Sequence, residues 1–255
     1  MTLKRKNILI TGASSGIGKG MALEYAKQGC NLALCARRAP QLQELKEEIS
    51  RINPNVTVFI RLLDVSLPAQ VFEVFKAFQE DFQSINEPID RIIVNAGIGK
   101  GAPIGKGYAA QNMQTAITNF CGALSQFEAA LEIFRVQNHG HLVAISSMSA
   151  FRGYGRAMTV YAATKAALKS LAEGVRIDMM NKPIVVTSVF PGFIATEMTE
   201  QMGGKPPFMI DGEKGARLLV KVINKETRAV YVPYWPWFFI KLIMPFLPLS
   251  VLRKI

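Results

Sequence analysis

The stretch Thr11-Gly12-Ala13-Ser14-Ser15-Gly16-Ile17-Gly18 joins a short apolar run to the first amphipathic segment of the chain. The run at 6–11 is typical of a buried strand, and residues 16–28 carry apolar side chains at helical spacing. Glycines between a strand and a helix allow a tight turn. They also let a pyrophosphate approach the backbone N–H groups at the helix N-terminus. The stretch therefore predicts a phosphate-binding turn, although a plain strand-to-helix turn would use the same residue types.

The alternation of apolar runs and amphipathic segments continues along the chain. Further strands are predicted at 31–35, 56–63, 91–94, 141–145, 184–190 and 229–232, and helices at 40–52, 68–82, 112–136, 161–180 and 212–224. Strands that alternate with helices predict a parallel sheet covered on both faces. The predicted fold class is α/β, a doubly wound parallel sheet of about seven strands. It forms one domain, 1–232, followed by a hydrophobic tail rich in proline and aromatic residues, 233–255.

Composition limits the class of protein. The chain has 255 residues, of which 49% are hydrophobic, and this excludes a disordered chain. Three cysteines and two histidines do not suffice for a disulfide framework or a multi-histidine metal centre, so no metal ligands are predicted. The net charge of +11 comes from scattered Lys and Arg residues, which favours a basic surface over a nucleic-acid site. The first residues lack the apolar core of a secretory signal, so we expect a reducing, cytoplasmic compartment.

Several chemically distinctive residues follow the predicted strands. Tyr161 and Lys165 share one face of a predicted helix, where an ammonium group would lower the phenol pKa and allow proton exchange with a carbonyl or alcohol oxygen. Ser146-Ser147 follows the fifth strand, and Asn95-Ala96-Gly97 follows the fourth. Each motif alone is common, because a serine after a strand also serves as a turn or cap residue.

Together and in this order, the motifs resemble the short-chain dehydrogenase/reductase family, whose fold is of the Rossmann type. The resemblance extends over about residues 5 to 232 and includes Pro191-Gly192-Phe193-Ile194-Ala195-Thr196. It implies that Tyr161 is the general acid/base, that Lys165 lowers its pKa and binds the nicotinamide ribose, and that Ser147 orients the substrate oxygen. Asn119 completes the implied catalytic set. The implied cofactor-binding residues are Gly12, Ser14, Ser15, Gly16, Ile17, Gly18, Arg37, Arg38, Asp64, Val65, Asn95, Ala96, Gly97, Tyr161, Lys165, Pro191, Gly192, Ile194 and Thr196.

One spacing departs from the family pattern. The family serine usually stands thirteen positions before the tyrosine, but Ser147 stands fourteen before Tyr161, and Met148 occupies the usual position. A one-residue insertion at 152–158 would account for the difference. Ser147 is therefore the candidate, with Ser146 and Ser149 as its substitutes.

The residues after the second strand bear on the choice of cofactor. Ala36 stands where an acidic residue would bind the ribose 2′-hydroxyl of NAD. Arg37 and Arg38 follow, and a guanidinium can grip a 2′-phosphate with two bonds. The pair therefore predicts NADP(H). The alternative is that both arginines are simply solvent-exposed at the start of a helix and bind no cofactor.

The tail admits two interpretations. It holds both tryptophans of the chain, Trp235 and Trp237, but four prolines and Lys241 disfavour a membrane-spanning helix. It could lie at a membrane surface, or it could pack onto the substrate cleft or a second subunit. The segment 196–210, where the family carries a substrate lid, holds Met198, Met202, Phe208 and Met209, which suit an irregular apolar ligand.

The function expected from the sequence is NADPH-dependent reduction of a ketone, or oxidation of a secondary alcohol, on a hydrophobic and lipid-like substrate. The alternative is a catalytically weak cofactor-binding or membrane-associated scaffold protein on the same fold. The resemblance further implies a homodimer or homotetramer formed through the helices at 112–136 and 161–180. No nucleic-acid partner is expected.

Overall fold

The sheet contains seven parallel strands. A computed structural model of the chain describes residues 5–200 and 206–253. The strands follow the order β3-β2-β1-β4-β5-β6-β7. They are β1 (Asn7–Thr11), β2 (Asn31–Ala36), β3 (Val58–Leu62), β4 (Arg91–Val94), β5 (Gly140–Ile145), β6 (Ile184–Pro191) and β7 (Ala229–Val232). The predicted α/β class, with a doubly wound parallel sheet of about seven strands, is confirmed.

Helices connect the strands and cover both faces of the sheet. They are α1 (Gly16–Lys27), α2 (Ala39–Ile52), α3 (Pro68–Gln83), α4 (Ala109–Ala116), α5 (Gly122–Gln137), α6 (Met158–Asp178), α7 (Glu197–Glu200), α8 (Gly212–Ile223), α9 (Tyr234–Ile243) and α10 (Leu249–Leu252). Asp211 begins α8 as its N-cap, because its carboxylate accepts bonds from the backbone nitrogens of Glu213 and Lys214.

Two cores lie on opposite faces of the sheet. Helices α1, α2 and α8 pack on one face, and α3, α5 and α6 pack on the other. Successive side chains of β1 alternate between the two cores, so Ile8, Leu9 and Ile10 are all completely buried. This explains why the strands read as continuous apolar runs rather than as alternating ones.

The strand order reverses direction between β1 and β4. The chain builds outward from β1 to β3 and then returns to place β4 on the other side of β1. In open parallel sheets a crevice forms at this switch point, beyond the carboxyl ends of the strands. The glycine-rich turn after β1 and the Asn95 segment after β4 meet there.

Two regions differ from the sequence-based prediction. The single helix expected at 112–136 consists of α4, a five-residue π-helical turn (Ile117–Cys121) and α5. The tail, for which no helix was predicted, contains α9, a 3₁₀ turn (Met244–Phe246) and α10. Within residues 5–200 and 206–253, no helix has the length and apolar character needed to cross a bilayer.

Candidate active site

The glycine-rich turn has the backbone of a phosphate cradle. Gly12 and Gly16 have φ angles of +65° and +53°, a region that strains other residues. A Cβ on Gly18 would lie 2.3 Å from the carbonyl oxygen of Gly12, so α1 starts in close contact with the turn. Ser15, the N-cap residue of α1, makes no side-chain capping bond within the part of the chain described. The positive end of α1 therefore lies at the crevice, which suits a pyrophosphate.

Asn95 braces this turn from the neighbouring strand. Its Nδ2 donates to the carbonyl oxygen of Thr11 at 2.9 Å and to that of Gly12 at 3.3 Å. In return, the Thr11 hydroxyl accepts bonds of 3.1 Å from the backbone nitrogens of Asn95 and Ala96. A Cβ on Gly97 would lie 3.2 Å from Asn119 Oδ1, so Gly97 leaves room for that side chain. The Asn95-Ala96-Gly97 segment thus holds the turn and the crevice floor together.

The two arginines after β2 have different partners. Arg38 Nε donates to Ser14 Oγ at 3.2 Å, and Arg38 Nη1 donates to Glu197 Oε2 at 3.3 Å. Arg37 instead lies 4.0 Å from Asp64 Oδ2. The sequence predicted the same role for both arginines. In the structure, Arg38 contacts the glycine-rich turn, whereas Arg37 lies beside Asp64.

The other predicted cofactor contacts fall into two groups. Asp64 follows β3, where its carboxylate accepts bonds from Ser66 and lies 4.0 Å from Arg37, whereas Val65 packs its backbone against Gly122. Ile17 and Ile194 turn their side chains into the core beside α1 and α8, so they can reach a cofactor only through their backbones. Thr196 lies over the glycine-rich turn, because a Cβ on Gly16 would be 3.4 Å from its Cγ2.

Asn119 lies inside the π-helical turn and is buried. Its Oδ1 accepts a bond from the backbone nitrogen of Ile98 at 2.8 Å, and its Nδ2 donates to the carbonyl oxygen of Ile98 at 2.8 Å. Nδ2 also lies 3.3 Å from Thr164 Oγ1. The π turn re-aims this side chain across the crevice, towards the helix that carries Tyr161 and Lys165.

Three serines follow β5, and their geometry distinguishes them. Ser146 Oγ donates to the carbonyl oxygen of Lys165 at 2.8 Å and so fastens α6 to β5. Ser147 lies close enough to the Tyr161 side chain to lower the pKa of its phenol, and its hydroxyl accepts a bond of 3.1 Å from the backbone nitrogen of Ser149. Ser149 Oγ is buried without a hydrogen-bond partner among the described residues. Of the three, Ser147 is the one placed beside the tyrosine.

Burial dominates the titration of Tyr161. It raises the pKa of the phenol above its ordinary value of 10.0, and the nearby Ser147 hydroxyl opposes this rise. The ammonium of Lys165 therefore does not by itself produce the lowered pKa that the sequence predicts for this phenol. The phenol is protonated near neutral pH, and in that form it can donate a proton to a carbonyl oxygen.

Lys165 is buried beneath the tyrosine. Its Nζ donates to the carbonyl oxygen of Ile145 at 2.9 Å and lies 5.7 Å from the centroid of the Tyr161 ring. Burial lowers the pKa of this ammonium to about 8. The group is thus charged at neutral pH and sits on the crevice floor.

The Pro191-Gly192 segment carries the tail against the site. The Gly192 nitrogen donates to the carbonyl oxygen of Val232 at 2.8 Å, and the Trp237 indole lies directly on Gly192. Trp237 also joins a buried cluster with Met148 and Phe190. The tail therefore borders the Ser147 loop, as the cleft-packing interpretation expects.

Sequence reasoning missed four contributors. The sequence placed Trp237 in the hydrophobic tail but did not indicate its contact with Gly192. The bonds of Glu197 to Arg38 and of Thr164 to Asn119 join residues that are distant in the sequence. The Ile145 carbonyl that holds Lys165 is a backbone group, which leaves no signal in residue type. Met202, expected in the lid, lies outside the described residues.

The fold and this site define an oxidoreductase built on a doubly wound α/β sheet. The chain belongs to the short-chain dehydrogenase family, whose family model matches residues 6–206.

Named proteins resemble the chain over most of its length. An "uncharacterized oxidoreductase" of Mycobacterium tuberculosis is 42% identical over 98% of this chain and 97% of its own. An 11-beta-hydroxysteroid dehydrogenase 1A of Arabidopsis thaliana is 35% identical over 91% of this chain and 61% of its own. Among solved structures, a short-chain dehydrogenase from Sphingobium yanoikuyae in complex with NADPH is 25% identical. It superposes with a TM-score of 0.80 over 90% of this chain and 88% of its own.

Proposed function

We propose that the protein is an NADP(H)-dependent oxidoreductase that reduces a ketone, or oxidises the corresponding secondary alcohol, on a hydrophobic substrate. One observation carries the proposal. Asn119, Ser147 and the pair Tyr161/Lys165 come from three separate segments and converge at the carboxyl edge of the sheet. A purely structural role would not require this set of proton-bearing groups at a crevice.

Each side chain has a role consistent with its geometry. The protonated phenol of Tyr161 donates its proton to the substrate carbonyl oxygen. The Ser147 hydroxyl, fixed by the Ser149 backbone, polarises the same oxygen. Lys165 places a positive charge under the phenol as the proton leaves. Asn119 holds the segment at Ile98 and borders Thr164, which positions the crevice wall opposite α6.

The chain's residues fit a nicotinamide dinucleotide with a 2′-phosphate. NADPH would supply the hydride that reduces the ketone carbon. The glycine-rich turn and the start of α1 suit its pyrophosphate, and Arg38, fixed at Ser14, suits its 2′-phosphate. The relative from Sphingobium yanoikuyae, solved with NADPH, supports this assignment.

A hydrophobic substrate is favoured by the apolar packing next to the Ser147 loop. Met148, Phe190 and Trp237 form a buried apolar cluster there, and Phe193 packs against Trp237 with ring centroids 5.6 Å apart. The named relative that acts on hydroxysteroids supports a substrate of lipid-like character. We propose a ketone carried on an extended or fused apolar skeleton.

The assembly and compartment are also part of the proposal. Ile117 and Leu124 are exposed along the α4–α5 helix, which favours a homodimer or homotetramer through this helix and α6. Cys35 and Cys121 are free thiols among the described residues, which supports a reducing, cytoplasmic compartment.

The test is turnover of NADPH with ketones of graded size. We expect saturable oxidation of NADPH with steroid-like or long-chain ketones. Tyr161→Phe should lower kcat by roughly 10²–10⁴-fold while NADPH binding is retained. Tight NADPH binding without turnover of any ketone would instead identify a cofactor-binding protein. Saturable activity confined to small water-soluble ketones would overturn the substrate class.

A further inference from the structure

The C-terminal segment exposes a continuous set of large apolar side chains. We define its outer face as the side chains that are exposed between residues 234 and 251: Tyr234, Trp235, Phe239, Leu242, Ile243, Phe246, Leu249 and Val251. Three of them, Trp235, Phe246 and Leu249, are 70%, 84% and 74% exposed. Monomeric soluble proteins rarely leave large contiguous apolar patches open to water, so such a face indicates a partner.

The opposite side of the same segment is anchored, so the outer face cannot turn inward. Trp237 and Met244 are buried against the domain. Lys241 Nζ lies 5.3–5.8 Å from the ring centroids of Tyr231, Phe151 and Phe238, which together cage the ammonium.

A hydrogen bond completes this anchoring. Arg152 Nη2 donates to the carbonyl oxygen of Leu247 at 3.1 Å, which ties the turn between α9 and α10 to the loop after β5. The segment is thus a fixed layer with one side bound to the domain and the other facing outward.

The charge of the chain is distributed unevenly along the sequence. Residues 91–127, 133–172 and 227–255 contain twelve of the 30 Lys and Arg residues and none of the 19 Asp and Glu residues. The rest of the chain, with 18 basic and 19 acidic residues, is nearly neutral. The three acid-free ranges include the loops that follow β4, β5 and β7 at the carboxyl edge. Arg91 and Lys165 are buried, and Arg91 is paired with Glu226 at the amino edge. The basic side chains that border the layer itself are therefore Arg152, Lys169 and Lys241.

This charge decides between two occupants of the outer face. A second copy docked face to face would bring the basic side chains beside the two outer faces together, and this is repulsive. An anionic lipid surface is complementary to both features, because it attracts Lys and Arg and accepts apolar side chains below the headgroups. Trp235 and Tyr234 have the amphipathic rings that favour the headgroup level.

The outer face also adjoins the candidate active site. Trp237, on the buried side of α9, lies edge-on to Phe208 with ring centroids 6.3 Å apart, and Phe208 is itself exposed. Trp237 also contacts Gly192 and the cluster that includes Met148. A surface that receives the outer face would therefore also approach Phe208 and the apolar packing next to the Ser147 loop.

We propose that the outer face is a docking surface for an anionic lipid bilayer, which brings the apolar packing next to the Ser147 loop to the level of the lipid headgroups. The proposal concerns binding only and does not depend on the reaction proposed above. It predicts that the two features act together. The apolar residues provide the contact area, and the basic side chains beside them select anionic over neutral lipid.

The test measures flotation of the full chain with vesicles of phosphatidylcholine, alone or mixed with phosphatidylglycerol. Two matched triple variants are compared. Trp235→Gln/Phe246→Gln/Leu249→Gln removes exposed side chains of the outer face. The control, Ile52→Gln/Leu62→Gln/Leu67→Gln, removes side chains that are also exposed but lie on α2, on β3 and just before α3, at the opposite edge of the sheet.

We expect the unmodified chain to bind the mixed vesicles about tenfold or more tightly than neutral ones, with affinity falling as salt rises. The outer-face variant should lose about tenfold or more in affinity, and the control variant should retain wild-type binding. Equal loss in both variants would overturn the proposal.

Two further results would also overturn it. One is absence of vesicle binding by a chain that still binds NADPH. The other is a concentration-dependent oligomer, measured by sedimentation, that the outer-face variant dissociates. The second result would assign the face to a second copy of the chain.

Discussion

The indole of Trp237 lies so close to Gly192 that a Cβ on this glycine would come within 2.1 Å of Nε1 and 2.2 Å of Cε2. Gly192 is therefore required by packing, because its φ does not lie in the left-handed region. Trp237 Nε1 is buried without a hydrogen-bond partner among the described residues, so the contact depends on shape alone. Through it, the tail is fitted to the Pro191-Gly192 segment at the carboxyl edge.

Gly192→Ala should destabilise the protein by about 1–3 kcal/mol, because the added methyl group overpacks the indole. In the Trp237→Leu background the same change should be milder by roughly 1 kcal/mol or more, since the obstructing ring is gone. Urea denaturation of the four proteins of this cycle measures the coupling. Gly153→Ala is the control, because nothing lies within 4 Å of a Cβ there. Additive effects would show that the indole does not obstruct position 192.

Most of the sheet could be predicted from the sequence, because its strands are buried on both faces and read as unbroken apolar runs. The tail could not. Tyr231 and Phe238 contribute to a cage around Lys241, and the sequence shows only an apolar stretch with one charge in it. Which side of α9 is buried depends on its contacts with Gly192 and with the Phe151 ring after β5, and these contacts are visible only in the folded structure.

The part of the site that could be predicted from the sequence is the part formed by specific side chains at a fixed spacing along one helix. Tyr161 and Lys165 could be paired from their separation of four residues on one helix. The partners of Lys165 and Asn119 could not be predicted, because they include the carbonyl of Ile145 and the backbone of Ile98. The unequal geometry of Arg37 and Arg38 likewise depends on the positions of Asp64 and Ser14.

The serines after β5 give a second prediction. Ser147→Ala should lower kcat by about 10²–10³-fold, because the hydroxyl that polarises the substrate oxygen is lost. Ser149→Ala should leave turnover near the wild-type value, since its hydroxyl has no partner among the described residues. Steady-state kinetics with a hydrophobic ketone checks both. The reverse ranking of the two variants would assign the role to Ser149.

The buried ammonium of Lys165 gives a prediction on pH. Its folded-state pKa of about 8 lies below the ordinary 10.5, so between these values the unfolded chain binds a proton that the folded protein has released. Stability contributed by this site therefore rises with pH across that window. Relative to Lys165→Met, the wild type should gain roughly 3 kcal/mol in all, at about 1.4 kcal/mol per pH unit at most.

The difference between the two proteins isolates Lys165 from the other groups that titrate at high pH. Urea denaturation of both proteins across the window measures it. A stability difference that does not change with pH would mean that Lys165 titrates at its ordinary value when buried.

The contact between Arg38 and Glu197 predicts opposite effects of two variants on cofactor affinity. Arg38→Ala should weaken NADPH binding about tenfold or more and leave NADH binding nearly unchanged, because only NADPH carries the 2′-phosphate. Glu197→Gln should strengthen NADPH binding, because the carboxylate 3.3 Å from Arg38 Nη1 competes with that phosphate. Nicotinamide fluorescence titration measures both. Equal losses for NADPH and NADH in Arg38→Ala would remove Arg38 from the 2′-phosphate site.

A buried ionic cluster at the amino edge of the sheet gives the last prediction. Glu226 Oε1 accepts bonds of 2.9 Å from Arg5 and 3.3 Å from Arg91, which is buried and also donates to His141 Nδ1 at 2.8 Å. Glu226→Gln removes the negative charge that these two guanidinium groups share. It should destabilise the protein by about 3–5 kcal/mol, because it leaves the buried Arg91 uncompensated.

The matched control for this change is Glu213→Gln. Glu213 is exposed, and its Oε1 lies 3.9 Å from Lys27 Nζ. Surface ion pairs of this kind contribute about 0–1 kcal/mol, so the control should unfold close to the wild-type midpoint in urea. Similar losses in the two variants would mean that the Glu226 cluster contributes no more than a surface pair. A large loss confined to Glu226→Gln would show that the cluster fastens the N-terminal residues and the segment before β7 to the buried edge of β4.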